Sequence, residues 1–456
     1  METEGAVMFE RIVKFVKDVV RRMFPVKTIK QVFDIDPAIS DEMIERIELW
    51  EKMYKGEAPW VNDIVHSLRL EQGIVKEFAN VALNEMTSKV TVEKLDKIYQ
   101  SAIRNLNEDL QSGLALGSFI IKPLGGDKVE CVTQGNYIPL EFNSQGRLTK
   151  VIFVETKQIA KDDIYRRFEY HAVDKNGLTI INKAYHSKNI DSLGVEVSLT
   201  EVSDWANLIP EVTYPFFKPD FGYYRNPIKN TIDGSYNGVS IFDAAKDLIK
   251  KADIQFARLD WEFESGERAV HVDATAMKLN KNTGDWKLPK LNKRLYRAVD
   301  VEMGNGKELF EVFSPEFREQ SIIKGLEEYK RNIEFAVGLA YGDLSNPAYV
   351  EKTATEVKAA KKRKYNTVTA IQSNLKDCLS DLVDALAFYN GLTTSGYEFI
   401  CDFKDSILTD EETERQQDRQ DVAMGVMPLW EYRMKWYGED EETAKSMIPE
   451  QADIIP

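Results

Sequence analysis

Three carboxylates close together near the C-terminal end, Asp402, Asp405 and Asp410 in CDFKDSILTDEE, are the residues of this sequence best spaced to do chemistry. Oxygen ligands of this kind hold divalent cations, and beside nucleic acid they would make a metal-dependent hydrolase. A capped helix start following a strand accounts for the same residues without a metal. The four histidines, His66, His171, His186 and His271, fall in separate segments, so only folding can gather them, and each reads as an isolated core or surface histidine. Three cysteines, Cys131, Cys378 and Cys401, are scattered and odd in number. They give neither a disulfide framework nor a CxxC metal knuckle, and point to reduced thiols in a cytoplasmic setting. No GxxxxGK[ST] phosphate loop, HExxH, GxSxG or dinucleotide glycine pattern is present. The expectation is a protein without catalytic residues, cofactor or resident metal.

The elements that dominate the chain are helices. Thr353 stands three residues before Glu356, the spacing of a capping box. From Val368 the apolar positions step by threes and fours through Ile371, Leu375, Cys378/Leu379, Leu382, Leu386 and Tyr389, and Asn390-Gly391 supplies a left-handed stop. The spacing predicts one uninterrupted helix of roughly 50 Å. Its first turns crowd Lys358, Lys361, Lys362, Arg363 and Lys364, so one end is strongly basic. A second helix is predicted from Ser314-Pro315 to about Tyr341, with Ile322, Leu326, Tyr329, Ile333, Val337 and Ala340 as its stripe. Gly342 and Asn346-Pro347 make the connection a loop, expected over 342–353 to be mobile because few bulky apolar residues there can bury it.

The 456 residues are 43% hydrophobic and 30% charged, as in a soluble folded protein. No run approaches the roughly 20 apolar residues of a membrane span, and the charged N-terminus does not read as a signal peptide. The net charge of −15 argues against a protein that grips nucleic acid, though not against one that lets it pass. Residues 8–24 read as a basic amphipathic helix ended by Pro25, either a membrane-surface or partner-binding helix or a terminal helix docked on the body or a neighbouring subunit. Helices are predicted at 39–55, 61–88 and 92–112, with Trp50, Tyr54 and Trp60 anchoring the first turn. Near Gly113 the pattern changes to short alternating runs separated by Gly125-Gly126, Asn143 to Gly146 and Lys175-Asn176-Gly177, a mostly antiparallel sheet region. After a Pro-rich aromatic connector come a helix over 240–265, a locally basic strand region at 268–313, and the two long helices. A strand at 397–403, an acidic Gln-rich helix and a smaller helical end close the chain. The fold class is α+β.

This order of elements resembles the portal proteins of tailed bacteriophages, of the siphovirus minor-capsid or head-morphogenesis type. Four local matches carry the resemblance: WEKMYKGEAPW (50–60); the β region running into Pro215-Phe216-Phe217, Asn226-Pro227, Asn230 and Gly238 to Phe242; YGDLSNPAYVEKTATEV (341–357); and CDFKDSILTDEETE (401–414). The resemblance implies a helical wing at 1–112, a β-rich wing at 113–239 and a stem helix at 240–265. It further implies a clip at 266–314, a second stem helix at 315–341, a tunnel loop at 342–353, a long wing-to-tunnel helix at 354–391, and a C-terminal wing and crown at 392–456. It also implies a ring of about twelve copies at one capsid vertex, made in the host cytoplasm and carried in the virion. Its partners would be the major capsid or scaffold protein, the terminase large subunit, the head–tail adaptor and double-stranded DNA passing non-specifically, with no membrane. On this reading Asp343, Asn346, Tyr349, Lys352 and Lys361 face the DNA channel, and Trp286, Lys287, Lys290 and Arg294 serve clip docking. The rival readings are a metal-dependent nucleic-acid-processing enzyme and a membrane-associated virion scaffold.

Overall fold

The computed structural model describes residues 25–160, 163–266, 316–346, 354–393, 395–403 and 411–448, with the backbone of short strands between 269 and 313. The amphipathic stretch 8–24 lies outside the described residues. Residues 25–33 are helical (α1), and the expected helix end at Pro25 falls on the boundary of the described residues. Helix α2 (Asp41–Lys55) starts at Ser40, whose hydroxyl accepts the Met43 amide, and stops at Gly56 with φ 70°. Its Met43, Ile47, Trp50 and Met53 enter the main core.

The predicted helix 61–88 is corrected to α3 (Leu70–Leu83). Asn62 Oδ1 accepts the amides of Ile64 and Val65, an Asx turn that takes the donors a helix would need. Residues Met86–Val90 are strand β1, not helix. The predicted helix 92–112 divides into α4 (Glu93–Ala102) and α5 (Leu106–Leu116).

The sheet region holds β2 (Ser118–Gly125), β3 (Lys128–Thr133), β4 (Tyr137–Phe142), β5 (Leu148–Ala160), β6 (Asp163–Asp174), β7 (Gly177–Ser187), β8 (Val195–Val197), β9 (Glu211–Tyr214) and β10 (Gly222–Arg225). Strands β4-β5-β6-β7-β8 form one antiparallel sheet, with β9 also on β7, and β10-β2-β3 form a second. The expected Asn-Gly hairpin joins β6 to β7: Gly177 takes φ 109°, and Asp174 pairs with it across the turn.

Helix α6 (Lys246–Ser265) leads into β11 (Ala269–Asp273), β12 (Lys278–Leu279), β13 (Trp286–Lys287), β14 (Tyr296–Val299) and β15 (Phe310–Phe313), and the chain returns through α7 (Glu319–Val337). In this insert β11 lies between β14, which is parallel to it, and antiparallel β15. Gln255 donates to the Ile322 carbonyl, and Glu262 accepts from the Arg318 amide and guanidinium, so α6 and α7 run antiparallel, tied at the insert end.

The long helix α8 (Ala354–Tyr389) is as predicted: Val368, Ile371, Leu375, Cys378, Leu379, Leu382 and Leu386 are buried, and Gly391 takes φ 60° beyond its end. At about 1.5 Å per residue it spans roughly 54 Å. Its buried face lies against β10, where a side chain on Gly222 would stand 2.6 Å from the Cys378 carbonyl. Strand β16 (Phe399–Phe403) returns to pair antiparallel with β1. Helices α9 (Glu411–Ala423), α10 (Leu429–Tyr437) and α11 (Glu441–Ser446) follow. The architecture is α+β with mostly antiparallel sheets. Among the described residues no helix is long and apolar enough to cross a membrane.

Candidate functional site at the joint of the long helices

Two glutamates set the geometry where α7 gives way to α8. Glu327 and Glu334 are seven residues apart, so they share the buried face of α7 with Leu326, Ile333 and Val337. Gly338, at φ 88°, ends the helix and lets the chain double back. Glu334 is wholly buried. Its Oε1 accepts the amides of Gly342 (3.0 Å), Leu344 (2.6 Å) and Ser345 (2.7 Å), and its Oε2 the Ser345 hydroxyl (2.9 Å). Glu327 accepts the Asn346 amide at 2.6 Å and Lys330 at 2.9 Å. A carboxylate with this many donors is well compensated for its burial.

Basic residues of α8 close the joint from the other side. Lys364 is buried and pairs with Glu77 of α3 at 2.6 Å and with Asp343 at 3.0 Å. Burial alone would lower its pKa, but the two carboxylates outweigh it and hold it above the ordinary lysine value. Arg363 lies over the rings of Phe335 (4.7 Å) and Tyr341 (5.3 Å). The basic cluster therefore divides: Arg363 and Lys364 fasten the fold, while Lys361 is exposed.

The expected channel residues separate accordingly. Asp343 and Asn346 belong to the clamped stretch 342–346, where the expectation of a mobile loop is corrected: buried carboxylates accept its backbone amides and Leu344 packs against the main core, while 347–353 lie outside the described residues. Tyr349 and Lys352 lie outside the described residues. In the insert, Trp286 and Lys287 form β13, paired with β12, and Lys290 and Arg294 lie outside the described residues. Asp402 is exposed on β16 opposite Thr87, while Asp405 and Asp410 lie outside the described residues. Among the described residues no three His, Cys, Asp or Glu side chains are placed to hold a metal ion.

A second charged assembly was not legible as such. His171, on β6, is almost wholly buried, with Nδ1 2.7 Å from Asp220 and Nε2 3.0 Å from Glu169. Glu169 also meets Lys122 (2.6 Å) and Arg167 (3.1 Å), and Asp220 accepts the Tyr389 hydroxyl from the end of α8. Burial would lower the His171 pKa, but Asp220 and Glu169 overcome this and raise it to about 9, so both ring nitrogens donate at neutral pH. Burial pushes Glu169 and Asp220 up, but His171 with Lys122 and Arg167 pulls Glu169 below the ordinary carboxylate value, and His171 with the Tyr389 hydroxyl does so for Asp220.

Beside this chain of charges lies a cavity of about 560 Å³, lined by Lys122, Arg167, Glu130, Glu155, Asn136 and Phe153 among others. Its two cations are committed, Lys122 to Glu169 and Arg167 to Glu155, Glu169 and Asn182. Cys131 borders it, but burial, with Asp109 beside it, pushes the thiol well above its ordinary value, the reverse of an activated nucleophile. Two carboxylates thus clamp a loop, and one imidazolium fastens α8 to a sheet. Sequence reasoning missed Glu327 and Glu334, whose signal was a pair of acids at seven-residue spacing inside an apolar stripe. It also missed the partners of His171: Glu169 two residues back on β6, and Asp220 from the loop before β10. Neither a protein-family model nor a curated protein sequence matches this chain.

Proposed function

We propose that the chain is the subunit of a bacteriophage portal, a ring of about twelve copies at one capsid vertex through which double-stranded DNA is packaged and later ejected. In this reading α6 and α7 are the stem and the insert 266–314 is the clip that meets the terminase large subunit and then the head–tail adaptor. Helix α8 runs from the tunnel into the wing, and the sheet region with the helices before it builds the wing, which meets the capsid or scaffold protein. Trp286, Lys287, Lys290 and Arg294 are the docking residues of the clip. Tyr349, Lys352 and Lys361 are the groups nearest DNA, while Asp343 and Asn346 shape the loop from which the tunnel segment departs. Work is done by position, not by bond chemistry, and the acidic chain suits a conduit that must not hold phosphates.

The observation that carries this reading is the antiparallel pair α6/α7, with a small β insert at one end and the clamped joint to α8 at the other. At the insert end Trp261, Phe263 and Phe317 are 64%, 49% and 48% exposed, and Phe263 and Phe317 meet at 5.9 Å. Covering side chains of this size contributes about 1.5–3 kcal/mol each, and a neighbouring copy in a ring offers the cover. The test is sedimentation of Trp261→Glu/Phe317→Glu beside the unaltered protein. The reading predicts a large closed assembly for the latter and folded monomers or small oligomers for the variant. A monomeric unaltered protein at high concentration would overturn it.

A further inference from the structure

The first turn of α3 buries a carboxyl that lacks the donors given to the other buried acids. Glu71 is 1% exposed and its Oε2 has no hydrogen-bond partner. Across from it on α6 is Asp253, equally buried, which accepts the Leu68 amide and the Trp60 indole N–H, each at 2.9 Å. The charged groups that face this pocket are few. Arg69 precedes Glu71 by two residues, but its guanidinium lies on Gly56, where a Cβ would meet it at 2.6 Å. Lys250 lies over the Trp60 ring, 5.8 Å from its centroid. Two like charges in one dry pocket are not both ionised cheaply. Burial raises the Asp253 pKa as well, but the Leu68 amide and the Trp60 indole oppose that rise, an opposition that Glu71 Oε2 lacks.

We propose that α3 and α6 are joined by a proton latch, in which Glu71 stays a neutral carboxylic acid in the folded protein at neutral pH and its loss of the proton to solvent loosens the joint between α3, the Trp60 turn and α6. The chemistry agrees with the geometry: burial, with Asp253 adding to it, outweighs the Glu71 amide and Arg69 and pushes Glu71 up to about 8. Ionised Glu71 would repel Asp253, whose bonds to Trp60 and Leu68 hold the turn against α6. Because an exposed glutamate titrates near 4.5 and the buried one near 8, the joint opens more easily as pH rises from about 4.5 to about 8. It stands on the burial of Glu71 and on the bonds from Asp253 to Leu68 and Trp60, and does not require the portal reading.

Hydrogen exchange of the full chain, corrected for the intrinsic pH dependence of exchange, tests it over residues 60–75. Protection there should fall about tenfold or more between pH 6.5 and 9. In Glu71→Gln, which mimics the protonated acid, protection should not change over that range. Equal pH dependence in the two proteins would overturn the latch. If Glu71→Gln does not fold, infrared spectra of the unaltered protein with ¹³C-labelled glutamate decide the matter. A protonated glutamate carboxyl at pH 6.5 that disappears by pH 9 is the predicted result. The absence of any protonated glutamate at pH 6.5 refutes the proposal.

Discussion

Replacing Glu334 by alanine removes the acceptor for three backbone amides and one hydroxyl at once. Each buried donor left without a partner costs about 1–3 kcal/mol. Ser345 is buried and cannot recover its bonds from water, whereas Gly342 and Leu344 are half-buried and recover part of theirs. The expected loss is therefore about 3–5 kcal/mol, a large share of the roughly 5–15 kcal/mol that holds most domains together. Glu334→Gln keeps an acceptor oxygen at the three amides and gives up only charge, so it should cost about 1–2 kcal/mol. Denaturant unfolding measures both losses, and hydrogen exchange at Gly342, Leu344 and Ser345 shows whether they arise at the joint. A Glu334→Ala protein within about 1 kcal/mol of the parent, with these amides still protected, would refute the clamp.

The His171 chain gives a pH signature. A raised pKa means that its stabilisation is complete below the ordinary 6.5 and is lost as pH rises through about 9. Unfolding free energy should fall across that interval, and the difference between the parent and His171→Gln should shrink with it; a constant difference would refute the imidazolium. Gly222→Ala places a methyl group 2.6 Å from the Cys378 carbonyl and 3.0 Å from Leu382 Cβ, and should cost about 1–3 kcal/mol in thermal or chemical unfolding. Lys364→Met strands Asp343 and Glu77, and because Glu77 is partly in water the loss should be about 1–2 kcal/mol in the same assay.

How much of this was legible in the sequence follows from how local each signal is. Helix α8 could be read because its apolar spacing and its Gly391 stop are contained in the helix itself. The β6–β7 hairpin was legible for the same reason, since Asn176-Gly177 encodes its turn. Strand β1 was not: five residues, MTSKV, carry no periodicity, and the partner that makes them a strand, β16, lies some three hundred residues away. The start of α3 was misplaced because the Asn62 turn competes with a helix through side-chain bonds that apolar spacing does not register. At the candidate site the failure has one cause. Glu71, Glu327 and Glu334 are acids on buried helix faces, and an acid in a sequence reads as a solvated position until folding supplies its neighbours. Lys364 was read only as one cation of a basic helix start, and its two carboxylate partners come from other elements.

The central claim is that copies of this chain close into a ring around a channel. Single-particle imaging of the purified protein without nucleic acid tests it most directly. The account predicts closed rings with a central hole, of about twelve copies of the 52.3 kDa chain or roughly 630 kDa. Particles of monomer size, or compact oligomers with no central opening, would contradict it.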